Sequence, residues 1–257
     1  MSDDSNAARK KNFLHEVPQI DEVQDNEKST KKKSNKFFYK VRNHHELFKI
    51  GVSFFKDYQM GVKSFAISST GYPQSQQNSI LGLASFFDHK SDARIGIISD
   101  SIDEGVFQKV VKKSSESQLL LSNNVPFQTH TFHQHFDFLN LDKILDLVQD
   151  EEIAGYDEII DEMFDYYDVV FWDVPDLLKI KNDSERYFPF IMKVDSLSII
   201  AAMAISNSKD IDKIVQFFQG YGISLKGLLF DSPTENQSKK ETKVTEKKIK
   251  SLWRILS

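Results

Sequence analysis

Apolar and polar positions along this chain switch between a helical and an extended period. From His44, HHELFKIGVSFFKDYQ places Leu47, Phe48, Ile50, Val52, Phe54 and Phe55 in a helix-length stretch, and KSFAISS follows as a short apolar strand. TGYPQSQQN reads as a loop, SILGLASFF as a helix and ARIGIISD as a strand bounded by polar residues. That is a β-loop-α-β unit, the element from which parallel sheets are built.

The alternation continues to the far end. QLLLS and PFQTHTF read as strands, LDKILDLVQ as a helix with one apolar face, and YDVVFWDVPD as a buried strand ending in a carboxylate. DSLSIIAAMAIS predicts a further strand. SKDIDKIVQFFQGYG predicts an amphipathic helix that starts on a Ser N-cap and stops near Gly220 and Gly222, and SLKGLLFD is a last strand. The expected architecture is α/β: a doubly wound, mostly parallel sheet with helices on both faces.

Both ends depart from this pattern. Residues 1–37 are rich in Asp, Glu, Lys, Ser and Asn, too polar to offset the entropy of ordering, and predict a disordered tail. Within it Phe13, Leu14, Val17 and Ile20 form an apolar island, a docking motif on one reading and residual stickiness on the plainer one. Residues 38–231 form the folded domain, and 232–257 a polar linker and a basic amphipathic helix. In that helix Ile249, Leu252, Trp253, Ile255 and Leu256 lie largely on one side, among Lys and Arg. These five are the candidate partner-binding residues. Docking on a protein partner or on the chain's own domain ranks above an anionic membrane surface, because the apolar face is short.

Composition narrows the classes. With 257 residues, 40% of them hydrophobic, the chain suffices for one α/β domain with a substantial core. A net charge of −5 argues against a general nucleic-acid binder, which needs a phosphate-neutralising surface. The absence of cysteine excludes disulfides, thiolate zinc sites and a cysteine nucleophile, and fits a reducing compartment such as the cytoplasm. No apolar run approaches the roughly 18 residues of a membrane span, and the N-terminus lacks the apolar core of a signal peptide.

Two polar clusters invite a chemical reading. His130, His133 and His135 with Asp137 carry metal-ligating groups, yet strand alternation puts His133 and His135 on one face and His130 on the other, so a solvated segment is the better reading and no metal is expected. The acidic stretch QDEEIAGYDEIIDEMFDYYD reads as a solvated helix face over Ile153, Ile159, Ile160, Met163 and Phe164.

Taken together, the helix before the first strand, the strand ending at Asp173 in YDVVFWDVPD, and the run DSLSIIAAMAISNSKDIDKIVQFFQGYGISLKGLLFD resemble, over residues 44–231, the bacterial tyrosine kinases of capsule and exopolysaccharide assembly and their MinD/ParA ATPase relatives. The resemblance implies a P-loop NTPase-like fold, with Asp173 at the Walker B position. It implies a phosphate loop between Ser69 and Ile80, where glycines let backbone N–H groups approach the phosphates and a Lys and a Ser/Thr serve phosphate and magnesium. Counting back from Gly82, Leu83 and Ala84 puts Gln76 at the lysine position and Gln77 at the magnesium hydroxyl, with Pro73 and Ser75 in place of glycines and Gly71 retained nearby. Gln carries no charge, and Pro73 lacks an N–H. Asp100, flanked by Ser99 and Ser101, stands in the second-aspartate region, and Asp231 near the position that recognises the base.

The resemblance implies a ring oligomer through a glutamate and two arginines on the first helix, of which Glu46 remains while Lys49 and Val52 replace the others; no tyrosine follows Asp231. The expectation is a domain with no catalytic residue and no cofactor: an adaptor for protein partners, envelope-associated or membrane proteins among them, peripheral to the inner membrane and able to form homo-oligomers. The competing expectation is an active enzyme binding ATP or ADP with magnesium through an unusual loop, with a lysine such as Lys63 supplying the lost charge.

Overall fold

A computed structural model describes residues 45–121, 126–132, 136–149, 156–202 and 206–231. The elements run α1 (His45–Gln59), β1 (Ser64–Ser69), α2 (Pro73–Lys90), β2 (Ile95–Ser99), α3 (Phe107–Val111), β3 (Ser115–Leu120), β4 (Pro126–Phe132), β5 (Phe136–Asn140), α4 (Leu141–Gln149) and α5 (Tyr156–Tyr166). They continue with β6 (Val169–Asp173), α6 (Leu177–Asn182), α7 (Ser184–Met192), β7 (Ser196–Ala202), α8 (Ser208–Gln219) and β8 (Ser224–Asp231).

Among the described residues the strands form one eight-stranded sheet in the order β3-β4-β5-β2-β6-β1-β7-β8. All neighbours from β5 to β8 are parallel, while β3 and β4 join antiparallel at one edge. The central strands β2, β6 and β7 are buried along their whole length, as strands covered on both faces must be. Alternate residues feed two cores. Phe65, Ile67 and Phe171 face α1, α2 and α3, with Phe87 of α2 ringed by Phe55, Tyr58, Phe65 and Phe171 at centroid distances of 5.4 to 6.3 Å. Ala66, Val170 and Trp172 face α4 to α8. Helices therefore cover both faces, as the alternation of strands and helices predicts.

Several local readings need correction. The stretch read as the loop TGYPQSQQN is loop only to Tyr72: α2 begins at Pro73, because proline at the first helical position has its φ already set and no N–H to leave unpaired. Gly71, with φ of 78°, makes the turn before it. The helix over 208–219 is capped by Asn207, whose side chain accepts from Lys209 N, and not by Ser208. The strand β5 and the helices α3, α6 and α7 were absent from the sequence reading. β5 is short and mixes Phe136, Phe138 and Leu139 with polar neighbours, and Pro189 interrupts the helical signal of α7. In α5, Ile159, Ile160 and Met163 are buried and Phe164 partly so, as expected; Ile153 lies outside the described residues.

The tail 1–37 with Phe13, Leu14, Val17 and Ile20, and the segment 232–257 with its five candidate partner-binding residues, also lie outside the described residues. Among the described residues no helix is long and apolar enough to cross a membrane.

Candidate functional site

In a parallel sheet the loops leaving the C-terminal ends of neighbouring strands define the cleft. Here β1 runs into α2, β2 into the segment 100–106, and β6 into Val174 and Pro175, with β1, β6 and β2 adjacent. This geometry brings Gln76, Gln77, Ser99, Ser101 and Asp173 together.

Gln76 is buried in the first turns of α2, and its side-chain amide is enclosed by protein. Nε2 lies 2.6 Å from Asp173 Oδ1, 2.8 Å from Ile67 O and 2.9 Å from Val174 O. Three acceptors around one terminal atom fix the orientation of the amide, since the reverse would aim its oxygen at two carbonyls. Two N–H groups serve these three acceptors, and Ile67 O also accepts from Val174 N at 3.0 Å.

Asp173 is buried and receives further donors from the end of β2. Ser99 Oγ donates to Oδ2 at 2.7 Å, Ser101 Oγ lies 3.4 Å from the same oxygen, and Ser101 N donates to Ser99 Oγ at 3.0 Å. Burial raises the Asp173 pKa to about 7: the hydrogen bonds from Ser99, Gln76 and Ser101 pull it down, Asp100 pushes it up, and loss of water dominates. Asp173 is tied to α2 and to the segment after β2, while the cap of α6 is Asp176, accepting from Leu178 N at 2.8 Å.

The sign of this shift gives a prediction. The folded-state value near 7 lies above the ordinary value of 3.8, so between the two the folded chain holds a proton that the unfolded chain has released. The resulting stability is complete below about pH 4, is lost as pH rises, and is gone once pH has passed through the folded pKa. Asp173→Asn keeps an acceptor for Gln76 and presents an amide to the two serine hydroxyls. Its stability relative to the parent should rise between pH 5 and pH 7, by at most about 1.4 kcal/mol per pH unit. Thermal melts across pH 5–8 read this out, and parallel curves for the two proteins would refute it.

Gln77 ties α2 to the segment after β2. Its Oε1 accepts from Val106 N at 2.7 Å and its Nε2 donates to Ser101 Oγ at 3.3 Å. Gly105 makes room for it: at φ of 57°, a Cβ there would sit 2.4 Å from Gln77 Oε1. Ser75 donates to the Asp231 carboxylate at the end of β8. Thr70 Oγ1 donates to Ser206 Oγ, which in turn accepts from Ala202 N at 2.8 Å.

Asp100 points away from this cluster. Its carboxylate pairs with Lys179 of α6 at 2.7 Å, and Lys179 also lies 3.6 Å from Asp142. Partial burial works against the Lys179 charge, but the hydrogen bond and charge of Asp100, with Tyr187 and Asp142, outweigh it and raise its pKa. Lys63 does not reach the cleft. It precedes β1 at the opposite end of the sheet, where its backbone N–H donates to Asp195 at 2.8 Å.

Of the metal candidates, His130 pairs in register with Phe138 and Asp137 with Thr131, so His130 and Asp137 occupy opposite faces of the sheet. Asp137 accepts from Thr131 Oγ1 at 2.6 Å and from Tyr167 OH at 3.1 Å. His133 and His135 lie outside the described residues, among which no cluster of three metal-ligating side chains occurs.

The arrangement is an α/β fold: a mostly parallel eight-stranded sheet with helices on both faces. Its structural neighbours are bacterial tyrosine kinase domains. The kinase domain of the Escherichia coli tyrosine kinase ETK superposes with a TM-score of 0.50 at 14% identity, covering 76% of this chain and 75% of that one. The BceF tyrosine kinase domain gives 0.49 at 14% identity over 75% and 77% of the two chains, and the VpsO kinase domain 0.47 at 14% over 77% and 100%. At this identity the likeness is one of fold. No protein-family model and no curated protein matches the chain.

Proposed function

We propose that the chain is a catalytically inactive, kinase-like adaptor that binds protein partners at the cell envelope, in polysaccharide assembly or in a positioning complex. The observation that carries this reading is the enclosed Gln76 amide. At the position where the resemblance calls for a phosphate-binding lysine, a neutral side chain is held by Asp173, Ile67 O and Val174 O. A triphosphate needs positive charge and free N–H donors at this helix start. The residues present do not fit it. Gln76 faces inward, Pro73 has no N–H, Ser75 is bonded to the Asp231 carboxylate, and Gln77 is bonded to Val106 N and Ser101 in place of a magnesium hydroxyl.

The alternative of an active enzyme needs a cation from elsewhere. Lys63 stands at the wrong end of the sheet, and Lys179, which does approach the cleft, is engaged by Asp100 and Asp142. Both Asp173 oxygens are already engaged, Oδ1 by Gln76 and Oδ2 by Ser99, where a magnesium-linked carboxylate would stand. The adaptor reading keeps the sheet as a platform, in the cytoplasm or against the inner membrane, and assigns function to surfaces and tails.

Phosphotransfer measures this directly. Incubated with magnesium and γ-labelled ATP, the full chain should release and transfer label no faster than its Asp173→Asn variant. Label transfer that the variant abolishes would overturn the adaptor reading.

A further inference from the structure

Charge is divided unevenly along the chain. Residues 45–231 hold 28 acidic and 16 basic side chains, whereas 239–257 hold seven basic and two acidic ones. The excess of acid is densest in α5, YDEIIDEMFDY, which has no basic residue; Glu158 and Asp165 are exposed there.

Beside α5 lies an uncovered apolar surface. On α7 the exposed residues Glu185, Phe188 and Met192 follow at spacings of three and four, one stripe along the helix. Phe188 is 47% and Met192 54% exposed, high values for large apolar side chains. Phe188 sits 6.0 Å from the Tyr221 ring, and Tyr221 5.2 Å from Phe217, so the stripe continues across to the end of α8. On its other flank α7 is tied to α5 by the Lys193–Asp161 ion pair and by Phe164 against Phe190 at 6.0 Å. The pair takes up the positive charge of Lys193 and leaves Glu158 and Asp165 as an acidic shoulder.

We propose that residues 239–257 of the same chain dock on this surface, laying Leu252, Trp253 and Leu256 over Phe188 and Met192 while their lysines face the acidic shoulder of α5. The two patterns are complementary on the α5 side: the terminal segment has an apolar stripe with a basic margin, and the domain an apolar stripe with an acidic margin toward α5, while Lys181 lies over Phe217 at the far end. Chain length permits it. The surface lies at the end of the sheet where β7 and β8 begin, roughly 26 Å from the end of β8 at about 3.3 Å per strand residue. The residues between Asp231 and Ile249 extend to roughly 55 Å, about twice that distance.

Photo-crosslinking of the full chain tests this, with benzoylphenylalanine placed at position 253. The expected product is an intrachain crosslink, at monomer mass, to peptides of α7 or to the end of α8 around Tyr221. Phe188→Asp with Met192→Asp should lower its yield at least fivefold, as should Glu158→Lys with Asp165→Lys. Raising salt from 50 to 500 mM should lower it severalfold, because the charges are exposed and screened. Crosslinks at dimer mass would assign the segment to a second copy, and crosslinks elsewhere on the domain, or none, would remove this surface as its site; each overturns the proposal. The crosslink map of the unsubstituted surface decides the matter even where a variant fails to fold.

Discussion

Gln76→Met destabilises the folded chain by about 3 kcal/mol, in spite of keeping the length and bulk of the side chain. The substitution withdraws the only amide shared by Asp173 Oδ1, Ile67 O and Val174 O, in a place where water cannot replace it. Each buried acceptor left short of a donor costs roughly 1–3 kcal/mol. Ile67 O keeps its bond from Val174 N and Asp173 keeps its serines, which holds the total near the lower part of the range. For a domain of this size such a loss lowers the melting temperature by roughly 6–12 °C. The effect is larger at pH 8 than at pH 5, because the amide favours the charged form of Asp173 and that form prevails only above the raised pKa near 7. A side chain that merely faced an open pocket would change stability by no more than about 0.5 kcal/mol at any pH. Melting curves of parent and variant at the two pH values separate these roles.

This structural role for Gln76 was only partly legible in the sequence. The order of strands and helices could be read because buried parallel strands are continuous apolar runs, and SFAIS, IGIIS and VVFWD stand out as such. The resemblance to the tyrosine kinases, counted back from Gly82, implied that Gln76 and Asp173 share one cleft. Their hydrogen bond could not be read, because nothing in the spacing says whether the amide turns inward or toward solvent. At the end of β2, Ser99 bonds Asp173 while the next residue, Asp100, pairs with Lys179.

Lys179 itself was invisible to sequence reading, since α6 is six residues long and carries too few turns to show a helical period. Ser75 with Asp231, and Gln77 with Val106, join residues far apart in sequence through tertiary packing alone. Gly105 carried a faint signal as a lone glycine in a polar stretch. Its partner became evident only when the missing Cβ was seen to leave room for Gln77.

Between them, these contacts do within the protein what a nucleotide and its magnesium do in a P-loop. Gln77 joins α2 to the segment after β2, Ser75 joins α2 to β8, and Gln76 satisfies Asp173. On the adaptor reading a triphosphate would have to break several of these side-chain bonds to reach the start of α2, where no side chain caps the helix. On that proposed reading, nucleotide adds nothing to the folding equilibrium.

The most direct test is the melting temperature of the full chain in magnesium with ATP or ADP. A P-loop site filled at one hundred times its dissociation constant is stabilised by about 2.7 kcal/mol. For a domain of this size that is a rise of roughly 5–10 °C. The closed cleft predicts no rise at 1 mM nucleotide beyond that given by magnesium and matched ionic strength. A saturable rise that shrinks on Asp173→Asn would contradict it.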